Sequence, residues 1–217
     1  MSPRPADPRV RQGLLDAARD LFLAKGFAAT GIEEICAAAG VTKGALFHHF
    51  DGKEALAAEV LDAWTRAGME VYARAPFLQE ATAVARLFGY VDFTIELSRA
   101  APIGCMIGTF AQEISRSHPP LRGRCQGAFK DWSVGVATML EAARVEAKRP
   151  LPFDSTSVAQ HFVAVFEGAQ ILARAQQSKD PVDEHLRHVR RYLEHLLGVA
   201  APAHSKPRNQ RKAGRRR

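Results

Sequence analysis

Prolines interrupt this chain at Pro76, Pro102, Pro119-Pro120, Pro150 to Pro152 and Pro181, and the stretches between them carry apolar residues three and four positions apart. Proline removes a backbone donor and disfavours helix in the residue before it, so these sites read as the breaks between helices. The spacing predicts helices over about 53–74, 80–99, 103–116, 120–147, 155–177 and 181–198, and no segment alternates as a half-buried strand does. The fold class is therefore all-α, with about nine helices. A small three-helix head over 1–52 precedes a larger helical body over 53–200 and a basic tail over 201–217.

The head has finer punctuation. Asp7-Pro8 is a cap followed by proline at the first helical position, and Val10, Leu14, Ala17, Ala18, Leu21 and Phe22 keep helical spacing up to Gly26. A left-handed Gly26 would fold Phe27 back onto Phe22. Thr30-Gly31-Ile32-Glu33 has capping-box spacing, with Thr30 accepting from the third helical amide and Glu33 reaching back. Gly40 ends this short helix and packs Val41 on Cys36. Thr42 caps a third helix from Lys43 to about His49, and Asp51 to Glu54 supplies the next cap.

At 217 residues, 47% of them hydrophobic and 24% charged, the chain can bury a core. The formal net charge of +7 suggests nucleic acid until it is located. Lys206, Arg208, Arg211, Lys212, Arg215, Arg216 and Arg217 lie in the tail, leaving 23 of the 30 basic residues against 23 acidic ones in residues 1–203. The tail, without a large apolar residue, reads as a disordered basic arm. No apolar run approaches the ~18 residues that span a bilayer, and the start lacks a signal-peptide core, so a cytosolic protein is expected. Cys36, Cys105 and Cys125 form no CxxC pair and suggest neither a disulfide framework nor a zinc cluster. No cofactor is indicated.

Two short helices joined by a turn at Gly40 have the layout of a helix-turn-helix, in which the second helix presents its first residues to base edges in the major groove. Thr42 and the amides behind it suit a phosphate. Lys43 opposes the helix dipole, and a phosphate or guanine edge would justify it. Gly44 costs ~1 kcal/mol of helix propensity against alanine but lets the backbone approach a duplex. His48 and His49 can donate to phosphates or bases, and Lys53 is placed for the DNA backbone. Leu46 and Phe50 read as core, and Phe47 fits either role.

From Val10 to Leu56, through LFLAKGFAATGIEEICAAAGV and TKGALFHHFDGKEAL, the chain resembles the DNA-binding head of the TetR family of bacterial transcriptional regulators. The resemblance implies that Thr42, Lys43, Phe47, His48, His49 and Lys53 lie at or near DNA, and Thr30 and Gly44 join them as candidate DNA-binding residues. Position 47 is commonly tyrosine in that family, so Phe47 implies a weaker hold on one phosphate. The resemblance also implies a homodimer on a palindromic operator, pairing through about 155–177 and 181–198 as a four-helix bundle, and most often repression by occluding a promoter.

The first of those two helices carries Val158, Phe162, Val165, Phe166, Ala169 and Leu172, and the second Val182, Leu186, Val189, Leu193, Leu196 and Leu197. Periodicity shows only that each buries a face. If the family pattern holds, middle helices enclose an effector pocket. Phe88, Phe93, Cys105, Phe110, Trp132, Phe166 and Gln170 are the candidates to line it, for a small hydrophobic or electrophilic molecule. Cys105 falls in the first helical turn after Pro102, where the dipole lowers a thiol pKa. "PIGC" resembles a subgroup that includes electrophile-responsive repressors, so Cys105 is a candidate redox sensor against the plainer reading of a packed cysteine. His185, His188 and His195 share a face, but no acidic or cysteine partner completes a metal spacing.

Two other classes compete. An enzyme would need a nucleophile or metal pattern, and GxSxG, Walker and HExxH motifs are absent from the sequence. A non-specific duplex binder would act through the basic tail alone.

Overall fold

In the computed structural model, which describes residues 7–114, 116–148 and 150–199, Asp7 opens the first helix as expected. Its side chain accepts the Arg9 N–H at 2.9 Å and Pro8 takes the first helical position, giving α1, Pro8–Lys25. Leu14, Ala18 and Phe22, four residues apart, are the buried face. Gly26 ends α1 with φ 85°, but its ψ of 171° is extended and outside the left-handed helical basin. Phe27 nevertheless returns onto Phe22, with ring centroids 5.8 Å apart.

The helix α2, Ile32–Ala39, starts from Gly31 with no side-chain cap, so the expected capping box is absent. Thr30 is buried, and its hydroxyl donates to the Gly26 carbonyl at 2.6 Å. Glu33 pairs with Lys43. Gly40, at φ 67° and ψ 31°, closes α2 in the left-handed conformation, and the Val41 N–H donates to Cys36 O at 2.9 Å. Thr42 then caps α3, Lys43–His49, accepting the Ala45 N–H at 3.2 Å. Asp51 caps nothing; Gly52 precedes α4, Lys53–Ala73.

The body continues as α5, Ala83–Ala100; α6, Met106–Ile114; α7, Pro119–Glu146; α8, Ser155–Gln176; and α9, Asp180–Leu197. Two starts fall later than periodicity suggests. Thr82 caps α5 by accepting the Ala85 N–H at 3.0 Å, and Pro76–Gln79 forms a separate 3-10 turn. Gly104, at φ 109°, delays α6 to Met106. No strand occurs among the described residues, and none of the helices is long and apolar enough to cross a membrane.

Two apolar cores result. One gathers α5, the second half of α7, α8 and α9 around Leu87, Val91, Leu140, Phe162 and Leu186. The other joins the head to the body: Leu14, Phe22, Ile35, Leu46 and Leu56 share it with Met106, Phe110, Ile114 and Leu121. The Phe110 ring of α6 lies 5.3 Å from Phe22 and 5.5 Å from Phe27, so the head is seated on α6 by an aromatic cluster.

Candidate nucleic-acid interface

Only Leu46 of α3 is fully buried, with Phe50 just after it, and these two residues anchor the helix to the head. Most of the rest of α3 faces outward. Thr42, Lys43, Gly44, Phe47 and His48 are exposed and His49 is half-buried. Positions 43, 44, 47 and 48 share one helical face. Phe47, a large apolar side chain, is 53% exposed. A methyl group at Gly44 would meet nothing nearer than Thr42 Oγ1 at 3.8 Å, and φ there is not positive, so the fold of the free protein does not require glycine. What a side chain at 44 would obstruct is an approach from outside.

Two expected DNA contacts point elsewhere. Thr30 is buried with its hydroxyl taken, as described above. The Lys53 ammonium turns inward, donating to the Phe27 and Thr30 carbonyls at 2.9 Å each and lying 4.2 Å from the Phe27 ring centroid. Burial lowers its pKa, and the nearby Glu113 carboxylate opposes that shift. Lys53 therefore closes the loop after α1. Glu33, read from sequence only as a cap residue, instead neutralises Lys43 in the free protein and holds its own carboxyl below the usual range through that contact.

The expected effector residues separate into three places. Phe88, Phe93, Trp132 and Phe166 pack in or against the body core, where Trp132 donates to the Tyr90 hydroxyl and meets Phe166 edge-on at 5.0 Å. Phe110 belongs to the head junction. Cys105 and Gln170 line a cavity of about 360 Å³ between the start of α6 and α8; the larger open groove between α7 and α8, about 1230 Å³, takes none of the seven. The aromatic residues fill the core by packing on one another, and the space that Cys105 and Gln170 line mixes apolar wall with the polar groups of Thr109, Glu113, Glu167 and Arg174.

Cys105 sits one residue before α6, with its carbonyl accepting the Thr109 N–H at 2.9 Å. Burial, and then the Glu167 carboxylate beside it, push its thiol well above the ordinary value, the reverse of the shift expected from the helix dipole. Burial likewise raises Cys36, and raises Cys125 to about 11.

Sequence reasoning missed Glu113, Glu167 and Arg174. Glu113 Oε2 accepts the Ala28 N–H at 2.9 Å, and Arg174 donates to the Leu23 carbonyl at 3.3 Å. Both lie in the lining of the 360 Å³ cavity and both grip the end of α1 and its following loop.

The apolar residues expected to pair α8 and α9 with a second copy are mostly inside the protomer. Val158, Phe162, Phe166 and Ala169 of α8 and the six of α9 are buried, while Val165 is half-buried and Leu172 exposed. The outward side of α8 instead shows His161, Ala164, Gly168, Ile171, Leu172 and Ala175. On α9, His188 and His195 are exposed and His185 half-buried. No group of three potential metal ligands occurs among the described residues.

Comparison with known proteins gives a consistent pattern. Residues 14–60 match the model for bacterial regulatory proteins of the tetR family, and residues 81–188 match the C-terminal domain of LmrA/YxaF-like transcriptional regulators. The repressor DhaR of Mycobacterium sp. (strain GP1) is 26% identical over 179 residues, covering 82% of this chain and 88% of that protein. The regulator YxaF of Bacillus subtilis (strain 168) is 30% identical over 133 residues, 60% of this chain and 69% of that protein. The crystal structure of a TetR regulator from Chloroflexus aurantiacus superposes with a TM-score of 0.76 at 26% identity, covering 85% of this chain and 93% of that one.

Proposed function

Since this chain belongs to the TetR family of bacterial regulatory proteins and is a DNA-binding transcriptional regulator, we propose that it reads a palindromic operator through α3 and represses until an effector binds its body. The observation that carries the α3 reading is the exposed face of Thr42, Lys43, Gly44, Phe47 and His48 on a helix anchored only by Leu46 and Phe50. His49 borders it. Thr30 and Lys53 instead close the loop between α1 and α2 from within.

One such head reads too few bases for selectivity, so two heads about 34 to 36 Å apart on the duplex are needed. The outward face of α8, apolar from Ala164 to Ala175 with small residues at Ala164, Gly168 and Ala175, together with the exposed side of α9, is the surface assigned to the second copy. The head comprises 1–52 with α4 as its link to a regulatory body reaching residue 200. The tail over 201–217 lies outside the described residues; its seven cations would add affinity that falls as salt rises. An effector changes the separation of the heads by moving α4 and α6 beneath them. A noncovalent effector fits the raised Cys105 thiol better than an electrophile does.

Selection of bound fragments from random DNA tests this reading. An enriched palindrome whose half-sites are one helical turn apart is expected, and Ala164→Glu should yield a monomer by sedimentation that no longer retains it. Enrichment of no sequence, or loss of all binding on deletion of residues 204–217, would favour a non-specific duplex binder.

A further inference from the structure

Glu167, Gln170 and Arg174 recur at i, i+3 and i+7 along α8, a polar row on a helix whose other inward residues are apolar. The row faces the start of α6, and two glycines let it come close. A Cβ at Gly108 would lie 1.9 Å from Glu167 Oε2. One at Gly104 would lie 2.8 Å from the Arg174 guanidinium, and the Gly104 N–H donates to Gln170 Oε1 at 3.1 Å. The 360 Å³ cavity opens between them, bordered also by Cys105, Thr109 and Glu113, and is within the size range of small-molecule sites.

Its polar groups are not equally occupied. Glu113 Oε2 accepts the Ala28 N–H, Arg174 donates to the Leu23 carbonyl, and Gln170 accepts from Gly104. The Glu167 carboxylate meets the Cys105 thiol, but its Oε1 is buried and has no hydrogen-bond partner. Buried polar atoms are normally paired, so an orphaned carboxylate oxygen beside a cavity marks a place for a donor. The charged lining is two carboxylates against one guanidinium, which favours a cation.

We propose that this cavity binds a small organic cation, a primary amine on a short carbon chain, whose ammonium donates to Glu167 Oε1. The proposal rests on the effector-relieved regulator described above and names the chemical class of the effector. Burial already holds the Glu167 carboxyl above its usual range, and an ammonium at Oε1 reverses that penalty, which an alcohol of the same size cannot do. Because Glu113 and Arg174 share the lining and hold the head at Ala28 and Leu23, an occupant that displaces either side chain alters how the head is held.

Calorimetric titration of the full-length protein with n-propylamine through n-hexylamine, alongside the matched alcohols and carboxylic acids, tests this. One amine per protomer should bind, with alcohol and acid of equal length at least tenfold weaker. Glu167→Gln should weaken the amine at least tenfold while melting as a folded protein. Thr109→Phe, which fills the cavity with Glu167 in place, should do the same. Amine binding that survives Glu167→Gln, equal binding of the alcohols, or no amine bound at any length overturns the proposal. Sequence preference of the amine-free protein for DNA is scored separately: its absence would sink the regulator reading and leave the calorimetric answer intact.

Discussion

Glu113, on the last turn of α6, accepts the backbone N–H of Ala28 at 2.9 Å, joining the body to the loop after α1 across 85 residues of sequence. Its carboxylate also covers Gly26, where a Cβ would lie 1.9 Å from Oε1. Glu113→Ala leaves that amide without its charged acceptor and should cost about 1 kcal/mol of stability. Urea unfolding monitored in the head is the check, and an unchanged midpoint would mean that the aromatic cluster of Phe22, Phe27 and Phe110 holds the head without help.

Gly44→Ala should move two observables in opposite directions. Alanine is about 1 kcal/mol better than glycine in a helix, and the free protein has room for the methyl group, so thermal stability should rise. Affinity for the selected operator should fall, because the methyl group stands where the duplex backbone approaches. Stability and affinity rising together would remove Gly44 from the interface.

The ion pair between Glu33 and Lys43 sets a small cost on DNA binding, since Lys43 must exchange a carboxylate for a phosphate or base edge. Lys43→Ala should weaken operator binding by about 1–3 kcal/mol, the range for one good base contact. Glu33→Gln should tighten it severalfold by freeing the ammonium. Fluorescence anisotropy on labelled operator measures both, and a Glu33→Gln variant that binds more weakly would contradict the competition.

Glu167 carries a pH signature. Burial raises its folded-state pKa above that of the unfolded chain, so the folded protein holds the proton more tightly. The associated stability is fully present below the unfolded carboxyl pKa of about 4.3 and is lost as pH rises through the folded value. Glu167→Gln cannot titrate. Its melting temperature should match the parent near pH 4 and exceed it at pH 8, and parallel curves across that range would refute the buried-carboxyl account.

Alkylation distinguishes the two readings of Cys105. With its thiol raised by burial and by Glu167, Cys105 should react with iodoacetamide at pH 7.5 more slowly than a free cysteine, and Cys105→Ser should retain the parent's DNA response to electrophiles. Mass spectrometry that finds Cys105 modified first would restore the sensor.

The limits of α3 could be read from sequence because Gly40 and Thr42 determine them by local chemistry, a left-handed residue and a hydroxyl within three positions of the amide it serves. Thr30 followed the same pattern and failed, since its hydroxyl found the Gly26 carbonyl first, in a loop whose shape depends on Lys53. Lys53 itself looked like a surface cation. Nothing within its own helix indicates that two carbonyls and a phenyl ring would enclose it. Phe88, Phe93, Trp132 and Phe166 stand out in the sequence as large apolar residues on helices, but whether they line a space or fill it depends on how α5, α7 and α8 meet. Of the polar row of α8, sequence reasoning singled out Gln170 alone; Glu167 and Arg174 gain their meaning only from the glycines of α6 opposite.

The two turns of α3, anchored by Leu46, also affect how its protons trade with water. The first amides of a helix lack acceptors inside it, and a short element with one buried residue opens at little cost. In the free protein the amide hydrogens of Lys43 to His48 should exchange for deuterium orders of magnitude faster than those in the middle of α8. Clamped against a duplex, they should slow toward the rate of the core, so the exchange rate of this one peptide would report operator occupancy without any label.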